Sequence, residues 1–126
     1  MDRRAIEWLK QADYDLGTAE FMSEGGRHFY AVFMCHLAIE KALKGLYLQR
    51  LQKTPPKTHN LVYLLNTIGL RPDADKTQLI ARLNEASTAT RYPDDIDRLQ
   101  NKYTQKIAAQ ILVGAKEILE WIRAQF

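Results

Sequence analysis

The sequence predicts an all-α fold, an up-and-down bundle of four to five helices in a single domain over residues 1–126. Three observations carry this. Apolar residues recur every three or four positions over long stretches, as one face of a helix requires. No segment shows the strict alternation of a half-buried strand. Gly25-Gly26, Pro55-Pro56, Gly69 and Pro93 punctuate the periodic stretches.

The first helix is expected from Arg3 to Ser23 with Asp2 as its cap, and Ala5, Leu9, Ala12, Leu16 and Ala19 form its buried stripe. Gly25-Gly26 ends it, because glycine tolerates the left-handed conformation common after helices. The second runs from about Arg27 to Leu51. Phe29, Val32, Phe33, Leu43 and Tyr47 share a narrow arc that Cys35, Ile39 and Leu46 widen. So long and wide an apolar face suits a central helix with several neighbours. Tyr30, Met34 and Leu48 fall on its other side and are expected partly to face a second chain. Pro55-Pro56 forces an extended linker. Asn60 caps a short helix, Leu61 to Ile68, ended by Gly69. Pro72 and Asp73 open a fourth helix, about Asp75 to Ala89, broken by the segment Thr90 to Asp95. The last starts between Asp95 and Thr104 and buries Tyr103, Ile107, Ile111, Gly114, Ile118, Trp121 and Ile122.

Composition excludes several classes. A chain of 126 residues with 46% hydrophobic and 26% charged residues can bury a real core and is not disordered. The single cysteine, Cys35, cannot form an internal disulfide, so a disulfide-stapled secreted fold is excluded. No apolar run nears the roughly 18 residues of a membrane span, and the N-terminus lacks a signal-peptide pattern, so a cytoplasmic location is expected. The net charge of +3 permits contact with nucleotides or RNA without demanding it. Neither a Gly-rich phosphate loop nor a G-x-S-x-G elbow is present, and no cofactor is implied.

The informative positions are polar residues on apolar faces. His36 and Glu40 lie mid-arc on the second helix, one turn apart, where they could bond each other, with Lys44 at the edge a turn further on. Asp15 sits at the rim of the first helix's stripe and could approach them. Burying such groups unpaired costs about 1–3 kcal/mol each, so they must be partnered. They read either as a network fixing helix register or as a polar floor under a ligand cleft. A metal site is disfavoured by three scattered histidines and no metal-binding motif. A second candidate is Lys57-Thr58-His59-Asn60, a cation, a hydroxyl and an imidazole before a helix start, which suits an anion. The alternative is a solvated capping turn. A third is Arg91-Tyr92-Pro93-Asp94, where Arg91 offers a fork for phosphate and Tyr92 a stacking face. Its alternative is a loop whose Arg91 pairs with Asp94 or Asp95.

These pieces together resemble a known family. Trp8-x-x-x-Ala12-x-x-Asp15-Leu16-x-x-Ala19 is followed by Phe33-x-x-His36-x-Ala38-x-Glu40-Lys41-x-Leu43-Lys44, then Lys57-Thr58-His59-Asn60-Leu61, Arg91-Tyr92-Pro93-Asp94 and a last helix with Ala115 and Trp121-Ile122. Their order and spacing is similar to the HEPN (higher eukaryotes and prokaryotes nucleotide-binding) domain family over nearly the whole chain. The resemblance implies a helical bundle, usually a homodimer. Small prokaryotic members are often paired with a minimal nucleotidyltransferase in toxin–antitoxin-like or defence systems. Many members are metal-independent ribonucleases with an Arg-x(4–6)-His motif. Here the positions preceding His28, His36 and His59 at that spacing are Phe21-Met22-Ser23, Phe29-Tyr30-Ala31 and Gln52-Lys53-Thr54, so the motif is absent.

The sequence is therefore read first as a nucleotide- or RNA-binding homodimer that acts with a nucleotidyltransferase partner. Lys41, Lys44, Lys57 and Arg91 are assigned to phosphate and Tyr92 to stacking, with Asp15, His36 and Glu40 as the supporting network. No catalytic residue is assigned. One alternative is a ribonuclease using His59 or His36 with Arg91, which requires a histidine and Arg91 to converge in one cleft. The other is a purely structural interaction module.

Overall fold

The computed structural model describes residues 1–126 as six helices without a strand. Helix α1 (Arg3–Glu24) starts at Asp2, whose carboxylate accepts the Arg4 N–H, and buries the expected stripe Ala5, Leu9, Ala12, Leu16 and Ala19. Gly26, at φ +78°, turns the chain into α2 (His28–Leu51). The two helices form an antiparallel hairpin that is closely packed at Gly45. A Cβ added there would lie 2.9 Å from the Trp8 Cβ and 3.2 Å from the Ala5 carbonyl.

Helix α2 is the central element and touches each of the other five. Burial runs almost round its circumference, with Ile39, Leu43 and Leu46 fully enclosed. Leu48, expected to face outward, is also buried at 3% exposure, because the α1–α2 contact is broader than one stripe. Of the three outward-facing residues expected, Tyr30 is exposed and Met34 half-buried.

After the linker, Asn60 caps α3 (Leu61–Ile68) through the Tyr63 N–H, and Gly69 ends it in the left-handed conformation. Helix α4 (Ala74–Arg91), capped by Asp73, runs two residues beyond the expected end. Pro93 disfavours helix only at the residue before it, Tyr92, so the helix continues through Arg91. Arg91 thus sits on a helical turn rather than in a loop.

The expected last helix is two. Asp95 caps α5 (Ile96–Lys102), and Thr104 caps α6 (Gln105–Arg123) by accepting the Ile107 N–H. Tyr103 stands between them, buried at 3% exposure, and leaves the helical conformation as the C-cap of α5, next to the Thr104 cap of α6. Ile111, Ile118 and Ile122 close the core as expected, and Ala108, Ala115 and Leu119 join them. No helix is long and apolar enough to cross a membrane.

Candidate nucleotide-binding site

Three segments meet along the first half of the central helix: the face of α2 bearing Phe33, His36 and Glu40, the linker before α3, and the last turns of α4. Four hydrogen bonds pin the linker. The fully buried His36 donates from Nε2 to the His59 carbonyl at 2.9 Å. Asn84 accepts the Leu61 N–H at 2.8 Å and donates to the Asn60 side chain at 3.0 Å. Thr58 Oγ1 accepts the Asn60 N–H at 3.1 Å.

The centre of the site is Glu40. Its Oε1 accepts from His59 Nδ1 at 2.8 Å and its Oε2 from Lys44 Nζ at 3.2 Å. The carboxylate is buried, with 5% of its side chain exposed, while 60% of the His59 side chain is in solvent. His36 and Glu40 therefore do not bond each other; both converge on His59. Burial pushes the His36 imidazole down to about 4, against a favourable pull from Glu40, so it is neutral at physiological pH. Enclosed and neutral, His36 cannot reach a substrate and is set aside as a catalytic alternative.

Arg91 approaches from α4. Its guanidinium lies 4.7 Å from the centre of the Phe33 ring, within the range of a cation–π contact. Nε reaches Ser87 Oγ at 3.4 Å, and Nη2 stands 3.4 Å from His59 Nδ1. Arg91 makes no ion pair with Asp94, Asp95 or any other carboxylate; Asp95 is occupied in capping α5. An open groove of about 340 Å³ runs past it, lined by Tyr30, Phe33, Thr90, Arg91 and Tyr92. Tyr92 is 75% exposed. A second hollow of about 320 Å³, beside Trp8, Leu48 and Pro55, contains none of the predicted site residues.

Two of the four lysines and arginines assigned to phosphate are thus committed within the fold. Lys44 is buried between Glu40 and the Trp8 ring, 6.0 Å from the ring centre. Lys41 is paired with Asp15 across the α1–α2 hairpin at 2.9 Å. Asp15 serves Lys41 and does not join the His36–Glu40 cluster. Lys57 is exposed on the linker and makes no ion pair. No group of three or more His, Cys, Asp or Glu side chains is placed to hold a metal ion. Cys35 is enclosed in the core, where burial drives its thiol up to about 12.

Sequence reasoning missed Asn84, Ser87, Phe33 and Tyr30 as parts of this site. Asn84, Ser87 and Arg91 lie three and four residues apart, a polar stripe down α4 that ends at the groove and was a readable signal. Phe33 and Tyr30 carry no such mark, since aromatic residues at helical spacing read as core.

The chain is an all-helical bundle, and the HEPN domain family model matches residues 5–125 of it. The chain belongs to the HEPN domain family. It is similar to the crystal structure of TT1696 from Thermus thermophilus, with a TM-score of 0.85 and 27% identity over 99% of this chain and 100% of that one. It is also similar to that of ST0689, an archaeal HEPN homologue, with a TM-score of 0.76 and 30% identity over 99% and 98%. Among proteins of curated function, none matches the chain.

Proposed function

We propose that the protein binds a nucleotide or an unpaired RNA segment in the groove beside Arg91. The carrying observation is that Arg91, unpaired with any carboxylate, is laid on Phe33 in a groove that Tyr30 and Tyr92 also line. A guanidinium fixed on an aromatic face keeps its outer N–H groups free for a phosphate. An exposed tyrosine supplies a flat face for an unpaired base. Lys57 adds charge on the linker side. Lys44 contributes from beneath, by holding Glu40, whereas Lys41 is paired with Asp15 across the α1–α2 hairpin.

The test is fluorescence anisotropy with a labelled unstructured RNA oligomer in the presence of a chelator. Arg91→Ala and Tyr92→Ala are each expected to weaken binding about tenfold, the equivalent of about 1.4 kcal/mol. Equal affinity in wild type and both variants would overturn the proposal.

A second reading is favoured by the convergence of His59 and Arg91. With Nδ1 bonded to Glu40, the Nε2 atom of His59 is left to take a ribose 2′-OH proton while Arg91 stabilises the charged phosphorane. It predicts cleavage of the same RNA without metal, lost in His59→Ala. The purely structural reading predicts neither binding nor cleavage.

The family likeness supports two further parts of the proposal: a homodimer, and action with a minimal nucleotidyltransferase partner in a toxin–antitoxin or defence pair. A monomer by light scattering at micromolar concentration would remove the first. Absence of co-purification with such a partner when the two are co-expressed would remove the second.

A further inference from the structure

His59 is held in a way that fixes which of its nitrogens meets a ligand. A carboxylate can only accept, so the 2.8 Å contact to Glu40 Oε1 places the proton on Nδ1. The Glu40 carboxylate is secured on its other oxygen by Lys44, and the backbone of His59 is secured by His36. Nδ1 therefore cannot also accept from Arg91, and the 3.4 Å approach of Nη2 is a packed contact with the ring edge. What remains is Nε2, on a ring whose side chain is 60% exposed and whose Nδ1 edge lies 3.4 Å from the Arg91 guanidinium.

A neutral His59 presents a lone pair at Nε2. Every outer atom of a phosphate or sulfate is also an acceptor, so the two repel. A protonated His59 presents an N–H instead and becomes a second donor beside Arg91. Around the ring, the Glu40 carboxylate of α2 bonds Nδ1 and the Arg91 guanidinium of α4 approaches it, Lys44 holds the other Glu40 oxygen, Lys57 precedes His59 by two residues, and His36 of α2 is neutral. Glu40 is the one carboxylate bonded to the ring, and it is buried.

We propose that His59 and Arg91 together form a subsite for one tetrahedral oxyanion, that its occupation is coupled to uptake of one proton at His59 Nε2, and that Glu40 is its positioning residue. The subsite would take the phosphate of a nucleotide or of an RNA strand, and it rests on the reading of the Arg91 groove given above.

The probe is inorganic sulfate, which stays a dianion between pH 5.5 and 8.5, titrated at constant ionic strength against chloride. The His59 ring Cε1–H resonance, assigned by its loss in His59→Gln, reports protonation. Sulfate is expected to move that resonance toward its protonated position at a given pH. The sulfate Kd is expected to increase about tenfold per pH unit once the resonance reports a neutral ring. In His59→Gln, sulfate affinity should no longer vary with pH. Glu40→Gln, checked for folding by circular dichroism, should flatten the dependence while keeping the ring in place. An unchanged His59 titration at saturating sulfate, or a sulfate Kd flat across the range in wild type, overturns the subsite. If RNA binding still depends on Arg91 in that case, the groove reading stands and only the proton coupling fails. If neither RNA nor sulfate binds, both fail.

Discussion

Lys44→Met tests whether Lys44 is a counter-ion of the fold. The substitution keeps the length of the side chain and removes its charge. In the wild type, Lys44 and Glu40 are 3.2 Å apart with 10% and 5% of their side chains exposed, so the pair is screened little by solvent. Removing one partner of such a pair costs about 3–5 kcal/mol, mostly because the other charge is stranded. Glu40 keeps its bond to His59, which places the expected loss near the lower end, about 3 kcal/mol. With a urea m-value of about 1.5 kcal/mol/M, the unfolding midpoint should fall by about 2 M. The double variant Lys44→Met/Glu40→Met strands no charge and should return to within about 1 kcal/mol of wild type. Below its lowered midpoint the folded Lys44→Met protein should still bind RNA. A single variant as stable as wild type, or a double variant less stable than the single, would refute the buried-pair reasoning.

Other outcomes follow from the same structure. His36 takes a proton near 6.5 when unfolded but resists it until about 4 when folded, so between these values the unfolded chain binds more protons. Its contribution is therefore present above 6.5 and lost as pH falls toward 4, by up to about 3 kcal/mol. Urea titrations across that window should show a shallower slope in His36→Leu than in wild type. Gly17→Ala, mid-helix with open space around the added methyl, should stabilise by about 0.5–1 kcal/mol in the same assay. Gly45→Ala should instead destabilise, by about 1–2 kcal/mol, because the new methyl meets the Trp8 Cβ and a carbonyl of α1 that cannot turn away.

Much of the fold was legible because periodicity and capping agreed. Asp2, Asn60, Asp73 and Thr104 each accept a backbone N–H at a helix start, and three of these starts were readable from the sequence. The split between α5 and α6 was not, since Leu99, Tyr103 and Ile107 keep a continuous helical spacing that masks the cap at Thr104. The end of α4 lies beyond the expected Ala89 because Pro93 constrains only its immediate neighbour, not the residues several positions back. In the site, the burial of His36, Glu40 and Lys44 followed from their places on the α2 wheel. Their partners did not: which carboxylate meets which cation depends on how α1, the linker and α4 dock, and one-dimensional spacing is silent on that. Hence Lys41 and Lys44 read as phosphate ligands, while the structure seats them on Asp15 and Glu40.

The most direct measurement is amide and side-chain chemical-shift mapping on the labelled protein during titration with an unstructured RNA oligomer. The account predicts that the largest shifts cluster at Tyr30, Phe33, Lys57, His59, Arg91 and Tyr92, and that the Arg91 Nε–H signal moves with the same affinity as the tyrosine rings. Shifts confined to the outer faces of α1 and α6, or no shifts at millimolar RNA, would contradict it.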